Sequence, residues 1–205
     1  MDFSYMSKPF KKALYVERNE QLCNIATQNF KSLGLNNIST KNSDAIEILH
    51  ELEYVSILFL DPARRNSNGG KVVSIADCEP NVLELCDEMV EKSHFVVLKL
   101  SPMLDWHSAV TQLKYVTEVH IISVSNECKE LLLVLTNRNK TEIDNKTNTI
   151  KVFCVNDNDI FSYEEDIHSE KEGLLQQNIL GKDVALPPYL YEPNASIMKA
   201  GCFAQ

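Results

Sequence analysis

Residues 58–71 read LFLDPARRNSNGGK, and they continue an apolar run that begins at Tyr54. A run over 54–60 that is apolar except for Ser56 is typical of a strand covered on both faces of a parallel sheet. A strand that only had to turn can do so with a pair such as Asn-Gly, yet here an acid, a rigid proline and two adjacent arginines follow. The stretch therefore predicts a buried strand with a functional site at its end.

Strands and helices alternate along the chain up to about residue 136. Apolar spacing predicts strands over 13–16, 54–60, 95–100, 118–124 and 129–136, helices over 19–33, 44–52, 80–93 and 104–113, and a brief strand before the second helix. Such alternation indicates parallel βαβ units, but too few residues separate the last two strands for a crossover helix. We expect an α/β fold with a Rossmann-like parallel sheet that ends in an antiparallel hairpin.

The character of the sequence changes after Thr136. The next segment is polar and rich in turn-forming residues, so we place a domain boundary near 137–148, with one domain over 1–136 and a small α+β segment over 137–205. In that segment a strand is predicted at 150–155. The acidic stretch 157–172 is interpreted as a solvated face that leads into a helical segment.

Composition narrows the function classes. Twenty basic against twenty-nine acidic residues give a net charge of −9, which disfavours a protein that coats nucleic-acid phosphates. No apolar run suits a signal peptide or a membrane span. The six cysteines show no CxxC pair and no zinc spacing. We therefore expect a cytoplasmic protein without a metal site, whose cysteines are mostly small core residues.

Acidic residues follow three of the predicted strands or lie just beyond them. Ligands of a doubly wound sheet bind at the carboxyl ends of its strands, and Glu17, Asp44 and Asp61 occupy such positions. A carboxylate has enough lone pairs to accept both hydroxyl protons of a ribose. Asp44 can accept an adenine amino group, or it can serve only as a helix N-cap, the commonest role for such a residue; the sequence leaves both open.

Three motifs carry a resemblance to a known family. YVERNEQL (15–22), NSDAIEIL (42–49) and LFLDPARRNSNGGK (58–71), in that order, resemble class I S-adenosylmethionine-dependent methyltransferases. More narrowly, they are similar to a bacterial group that carries a THUMP-like C-terminal domain and is associated with RNA modification. The resemblance implies S-adenosylmethionine as cofactor and RNA as partner.

The resemblance also implies roles for individual residues. Glu17 would hold the cofactor ribose, and Asp44 with Ala45 would hold the adenine. Asp61 would touch the cofactor and, with Pro62, line the catalytic space between the sulfonium and the target base.

The sequence departs from the family in one respect. Class I methyltransferases cradle the methionine end of the cofactor on a glycine-rich loop after their first strand, but the first glycine of this chain is Gly34. The residues 2–4 look like the position just beyond that loop. We therefore expect a sheet without the first strand and glycine loop. The part from about 150 onward resembles a ferredoxin-like segment, and the tail LYEPNASIMKAG (190–201) looks like the entry to an absent THUMP-like domain.

The residues after the next strand bear on mechanism. Related RNA uracil-C5 methyltransferases place a nucleophilic cysteine there, whereas this chain has Ser101 in LKLSPMLD (98–105). We therefore expect methyl transfer without a covalent cysteine, with Ser101 on the substrate side. Arg64 and Arg65 can hold a substrate phosphate, or one of them can pair with Asp61 or Glu79 and stiffen the loop.

Two other functions remain open. The chain can be a non-catalytic remnant or interaction module that keeps the methyltransferase fold. It can also be a nicotinamide-dependent Rossmann enzyme, because Glu17 suits that ribose too. The last reading is weaker, since no catalytic Tyr-Lys or His arrangement follows.

Overall fold

The computed structural model describes residues 2–64, 75–137 and 149–166, together with the backbone of two further strands at 175–179 and 182–186. The chain divides into two compact units, Met1–Glu53 and Tyr54–Gln205. The first unit contains α1 (Asp2–Met6), β1 (Ala13–Glu17), α2 (Glu20–Ser32), β2 (Ile38–Asn42) and α3 (Ala45–Glu51).

The second unit contains most of the strands. These are β3 (Val55–Leu60), β4 (Ala63–Arg64), β5 (Cys78–Glu79), β6 (Ser93–Leu100), β7 (Val116–Val124), β8 (Glu127–Leu135), β9 (Thr149–Asn156), β10 (Asp159–Asp166), β11 (Leu175–Ile179) and β12 (Lys182–Leu186). Its helices are α4 (Val82–Glu91) and α5 (Trp106–Gln112), and a short 3₁₀ turn covers Ile75–Asp77.

The first unit is built on a small parallel sheet. β1 pairs with β2 from Ala13↔Ile38 to Glu17↔Asn42. The predicted helix α2 is confirmed: it begins after the N-cap Asn19, and Gly34 follows its end with φ +69°, a conformation that glycine adopts without steric cost. Phe30 of this helix packs its ring 5.4 Å from that of Tyr15 on β1. This aromatic contact ties helix to sheet.

The second unit is built on a six-stranded mixed sheet with the order β10-β9-β7-β8-β6-β3. β3 and β6 run parallel, as predicted. β7 and β8 form the predicted antiparallel hairpin, and β8 also lies antiparallel to β6. The α/β class and the hairpin are therefore confirmed.

One face of this sheet forms the core. The register aligns Leu98 of β6 with Leu133 of β8, Val119 of β7 and Val152 of β9, and all four side chains are 0% exposed. Helix α4 packs on β6. Burying a side chain of this size contributes roughly 1.5–3 kcal/mol, so this row fixes the register of the central strands and of the residues that follow them.

The strand at β3 is confirmed, but its predicted burial is wrong. All six residues of Val55–Leu60 are half-buried or exposed, and Ile57 is 40% exposed. Among the described strands β3 pairs with β6 alone, so it lies at an edge of the sheet. An apolar composition indicates that a strand can be buried. Whether it is buried also depends on the elements that pack beside the strand and over its faces.

The C-terminal part differs from the prediction in two ways. The strand predicted at 150–155 is present as β9, and it pairs parallel with β7 in the same sheet. The acidic stretch contributes the mostly exposed edge strand β10. The prediction of a helical segment after it is wrong, because the strands β11 and β12 pair antiparallel there, from Leu175↔Leu186 to Ile179↔Lys182. The proposed boundary falls mainly on residues 138–148, outside the described residues, and it stays a prediction.

Candidate functional site

A pocket of about 220 Å³ lies at the carboxyl ends of β3 and β6 in the second unit. Its apolar lining comes from Pro62, Leu100, Pro102 and Leu104, and its polar lining includes Asp61, Lys99, Ser101 and Glu130. Pockets for drug-sized ligands measure roughly 300–1,000 Å³, so this one suits a fragment such as a single ring or the reacting end of a longer molecule.

Strand register explains why these side chains meet. The parallel pair Leu60↔Leu98 places Asp61, one residue on, beside Lys99. On the other side of β6 the antiparallel pairing brings Glu130 of β8 close to Lys99. Lys99 Nζ donates a hydrogen bond to Asp61 Oδ2 at 3.2 Å and lies 3.5 Å from Glu130 Oε1. The result is a chain of alternating charges across three strands.

Three of the predicted site residues come together in this pocket. Asp61 is exposed, the adjacent Pro62 is buried, and Ser101 is half-buried. Ser101 also shapes its own turn: its Oγ accepts a hydrogen bond from the Met103 amide at 3.2 Å, and its carbonyl accepts one from the Leu104 amide at 3.0 Å. The strand end is therefore held by short-range bonds, with Asp61 facing Lys99.

The arginines are only partly described. The backbone of Arg64 belongs to β4 and pairs with Cys78 of β5. The side chain of Arg64 and all of Arg65 lie outside the described part of the chain. Their predicted phosphate contact, and the alternative pairing with Asp61 or Glu79, stay predictions.

The other predicted cofactor residues lie in the first unit. Asp44 is the N-cap of α3, and its Oδ1 accepts a hydrogen bond from the Ile46 amide at 2.8 Å. Ala45 is the exposed first residue of that helix. Glu17 ends β1, and its Oε1 accepts a hydrogen bond from the Asn19 amide at 2.8 Å. The N-cap reading of Asp44 is confirmed. Its proposed contact with adenine stays a prediction.

Lys99 and Glu130, the two residues that form the chain of charges with Asp61, were not predicted from the sequence. Lys99 stands in the otherwise apolar run FVVLKL, two residues before Ser101. A charge inside a buried-looking strand was a usable signal. Glu130 gave no comparable signal, because only the β6–β8 register brings it near. Cys78, which also lines the pocket, is 6% exposed.

The cysteines are mainly core residues, as predicted. Cys23, Cys78, Cys86 and Cys154 are buried free thiols, and Cys128 is a half-buried one. Burial, reinforced by the neighbouring Asp87 carboxylate, raises the pKa of Cys86 to about 11. Cys202 lies outside the described residues.

Metal and membrane sites find no support in the described part of the chain. Within it, no group of three or more His, Cys, Asp or Glu residues could hold a metal ion. No described helix is long and apolar enough to cross a membrane.

His107 stacks on Trp106 at a centroid distance of 3.6 Å and lies 3.2 Å from Glu165, which joins α5 to β10.

Comparison with known proteins adds evidence on the fold. A crystal structure of a proposed methyltransferase from Porphyromonas gingivalis is similar over 98% of this chain and 48% of that one, with a TM-score of 0.69 and 24% identity. The chain thus spans about half the length of that protein. A family model of a ferredoxin-like domain matches residues 189–205, outside the described range. No curated protein matches the sequence. The likeness shows that this chain shares the fold of the matching half of that structure.

Proposed function

We propose that this chain carries an S-adenosylmethionine-dependent methyltransferase site that acts on RNA. One observation carries the proposal: Asp61, Pro62 and Ser101 line one pocket at the carboxyl ends of neighbouring strands, in a chain whose fold resembles that of a proposed methyltransferase. Ligands of open α/β sheets bind at such strand ends.

The residues assigned to the cofactor fit its nucleoside end chemically. The hydrogen bond from the Asn19 amide occupies one oxygen of Glu17, and a carboxylate accepts about four hydrogen bonds in all. Glu17 therefore retains capacity for ribose hydroxyls, and Asp44 retains capacity for an amino group beyond its cap bond. We assign Ala45, exposed at the start of α3, to the edge of the same site.

The pocket residues would then act on the acceptor. The bound cofactor supplies a methyl group on a sulfonium, which an acceptor lone pair attacks in line. Positioning supplies much of the acceleration in such a displacement. Pro62, Leu100 and Pro102 give apolar walls against which a flat base can lie. We assign Asp61, which lines the pocket, to accept a hydrogen bond or proton from an acceptor nitrogen.

We further propose that the transfer needs no covalent cysteine intermediate. Ser101, not cysteine, follows β6. The cysteine that does line the pocket, Cys78, is buried at 6% exposure, whereas a reactive thiol is partly exposed and has a lowered pKa. A Cys78→Ala variant should retain methyl transfer, and RNA containing 5-fluorouracil should form no adduct with the wild type. Loss of transfer together with such an adduct would contradict this mechanism.

The support for RNA as partner comes from a pair of adjacent arginines. Arg64 and Arg65 directly follow the pocket segment in sequence, and arginine is suited to bidentate phosphate contacts. The chain as a whole carries −9, so the basic contact would be local and binding should weaken with salt. The free thiols are typical of a reducing compartment, which supports a cytoplasmic location.

Calorimetry with S-adenosylhomocysteine and with NAD tests the proposal. Micromolar binding of the first and none of the second supports it. Glu17→Gln should then weaken binding about tenfold, because a charge-assisted hydrogen bond becomes a neutral one. Glu20→Gln, an exposed acid on α2, is the matched control and should bind as the wild type does. Binding of NAD alone would favour a nicotinamide enzyme.

The alternative is a non-catalytic module with the same fold. It is favoured by the finding that Glu17 and Asp44 already serve their own turn and helix, which is a sufficient structural reason for both acids. Absence of binding of either nucleotide would support this alternative.

A further inference from the structure

Lys99 is the most enclosed charge of the pocket. Its side chain is 19% exposed, whereas those of Asp61 and Glu130 are 54% and 38% exposed. The lysine stands on β6, with Asp61 just after the end of β3 on one side and Glu130 on β8 on the other. It therefore contacts both acids at once, at 3.2 Å and 3.5 Å.

The charge of this cluster depends on the lysine. Two carboxylates and one ammonium sum to −1, and removing the ammonium leaves −2 beside the same small volume. Lys129 also lines the pocket, but its Nζ lies 2.6 Å from Glu127, so its charge is already matched. Among the described charges of the pocket, Lys99 thus decides whether its cluster with Asp61 and Glu130 carries one negative charge or two.

We propose that Lys99 is a positioning residue that sets this charge, an inference that rests on the methyltransferase function proposed above. It holds the Asp61 carboxylate at the pocket rim through their ion pair. It also keeps the cluster at −1, so that a cationic methyl donor brought beside the base in the pocket is not held too tightly.

The reaction explains why a limit on the negative charge of this cluster is useful. As the acceptor nitrogen forms its bond to the methyl carbon, the electron pair of the breaking carbon–sulfur bond stays on sulfur, and the donor passes from cation to neutral thioether. A pocket at −2 would stabilise the cation before transfer more than the dispersing charge in the transition state. Interactions that are stronger in the ground state do not accelerate the chemical step. By removing one negative charge from the cluster, Lys99 reduces this excess stabilisation of the cation before transfer.

The test compares two ligands that differ by one methyl group and one charge. Calorimetry gives the ratio of the dissociation constants of S-adenosylmethionine and S-adenosylhomocysteine. In Lys99→Met the ratio should shift toward the cationic ligand by about three- to tenfold, as expected for one charge several ångströms away. The shift should shrink at high salt. Lys99→Arg, which keeps the charge, should keep the wild-type ratio.

Two further variants serve as an independent test and as a control. Glu130→Gln neutralises one acid and should move the ratio in the opposite direction, so the inference can be tested even if Lys99→Met fails to fold. Lys114→Met removes a lysine that pairs with Asp87 at 3.1 Å and does not line the pocket, and it should leave the ratio unchanged.

The outcomes separate the inference from the function on which it rests. If the wild type binds both ligands but Lys99→Met weakens both equally or leaves the ratio unchanged, the charge-setting role is overturned and the methyltransferase proposal stands. If the wild type binds neither ligand, the proposed function fails, and the role of Lys99 fails with it.

Discussion

The two units of this protein use acidic residues at strand ends in different ways. In the first unit, Glu17 and Asp44 accept hydrogen bonds from amides two residues further along the chain. In the second, the partner of Asp61 is Lys99, thirty-eight residues away. The first arrangement shapes a local turn, and the second depends on the register of a sheet. One sequence pattern thus has two structural meanings, and only the tertiary fold separates them.

The largest expected effect is on the stability of the six-stranded sheet, which holds Asp61 beside Lys99. Leu133→Ala should lower the free energy of unfolding by about 2–5 kcal/mol, because it leaves a cavity at a side chain that is 0% exposed. Leu14→Ala in β1, at 39% exposure, should cost much less. Urea unfolding with hydrogen exchange read on peptides of each unit measures both. Equal costs would contradict the assignment of Leu133 to the core and of Leu14 to the surface.

A pH-dependent effect should also appear in the second unit. Burial, then the Asp87 carboxylate, raises the pKa of Cys86 from 9.0 to about 11. Between these values the unfolded chain has lost the thiol proton and the folded chain keeps it, so stability falls as pH rises. Below pH 9 both states are protonated and the effect is absent. The loss should reach about 2–3 kcal/mol by pH 11.

Cys86→Ala isolates this contribution. Urea unfolding of the wild type and the variant is compared at pH 8 and pH 10.5. The variant is less stable at the lower pH, because it leaves a small cavity, and the gap should narrow at the higher pH. A constant gap would show that the thiol is not the titrating group.

A smaller and local effect is expected in the first unit. Asp44→Ala removes the N-cap of α3 and should cost about 1 kcal/mol. Hydrogen exchange should rise within residues 45–51 and not in β3. Asp44→Asn, which keeps an accepting oxygen, should restore most of the protection. A cost spread evenly over both units would break the distinction between local and long-range acids.

Local features of the fold could be read from the sequence. Helix α2 was predicted from its apolar spacing and Gly34, because capping and amphipathic spacing act within a few residues. The apolar runs at β3 and β6 were also recognised as strands. The burial of β3 could not be predicted, because it depends on what packs beside the strand and over its faces rather than on its own composition.

The candidate site was predicted in part for the same reason. Asp61 and Ser101 could be named because each directly follows a strand, and strand ends of a parallel sheet share an edge. Pro62 was named with Asp61 through the motif that resembles the methyltransferase family. Glu130 could not, since its place depends on antiparallel pairing with β6. Asp44 was ambiguous because capping a helix and contacting a ligand require the same side chain.

The smallest expected effect is the coupling between Asp61 and Lys99 in stability. Asp61 is 54% exposed, and ion pairs with an exposed partner contribute about 0.2–1 kcal/mol. A double-mutant cycle with Asp61→Asn and Lys99→Met should give a coupling in this range that falls in 1 M salt. A coupling several times larger would mean that the pair is part of the fold, as the local bond of Asp44 is. A small value would mean that the second unit keeps Asp61 and Lys99 together at little benefit to folding, which is expected of groups whose main contact is a ligand.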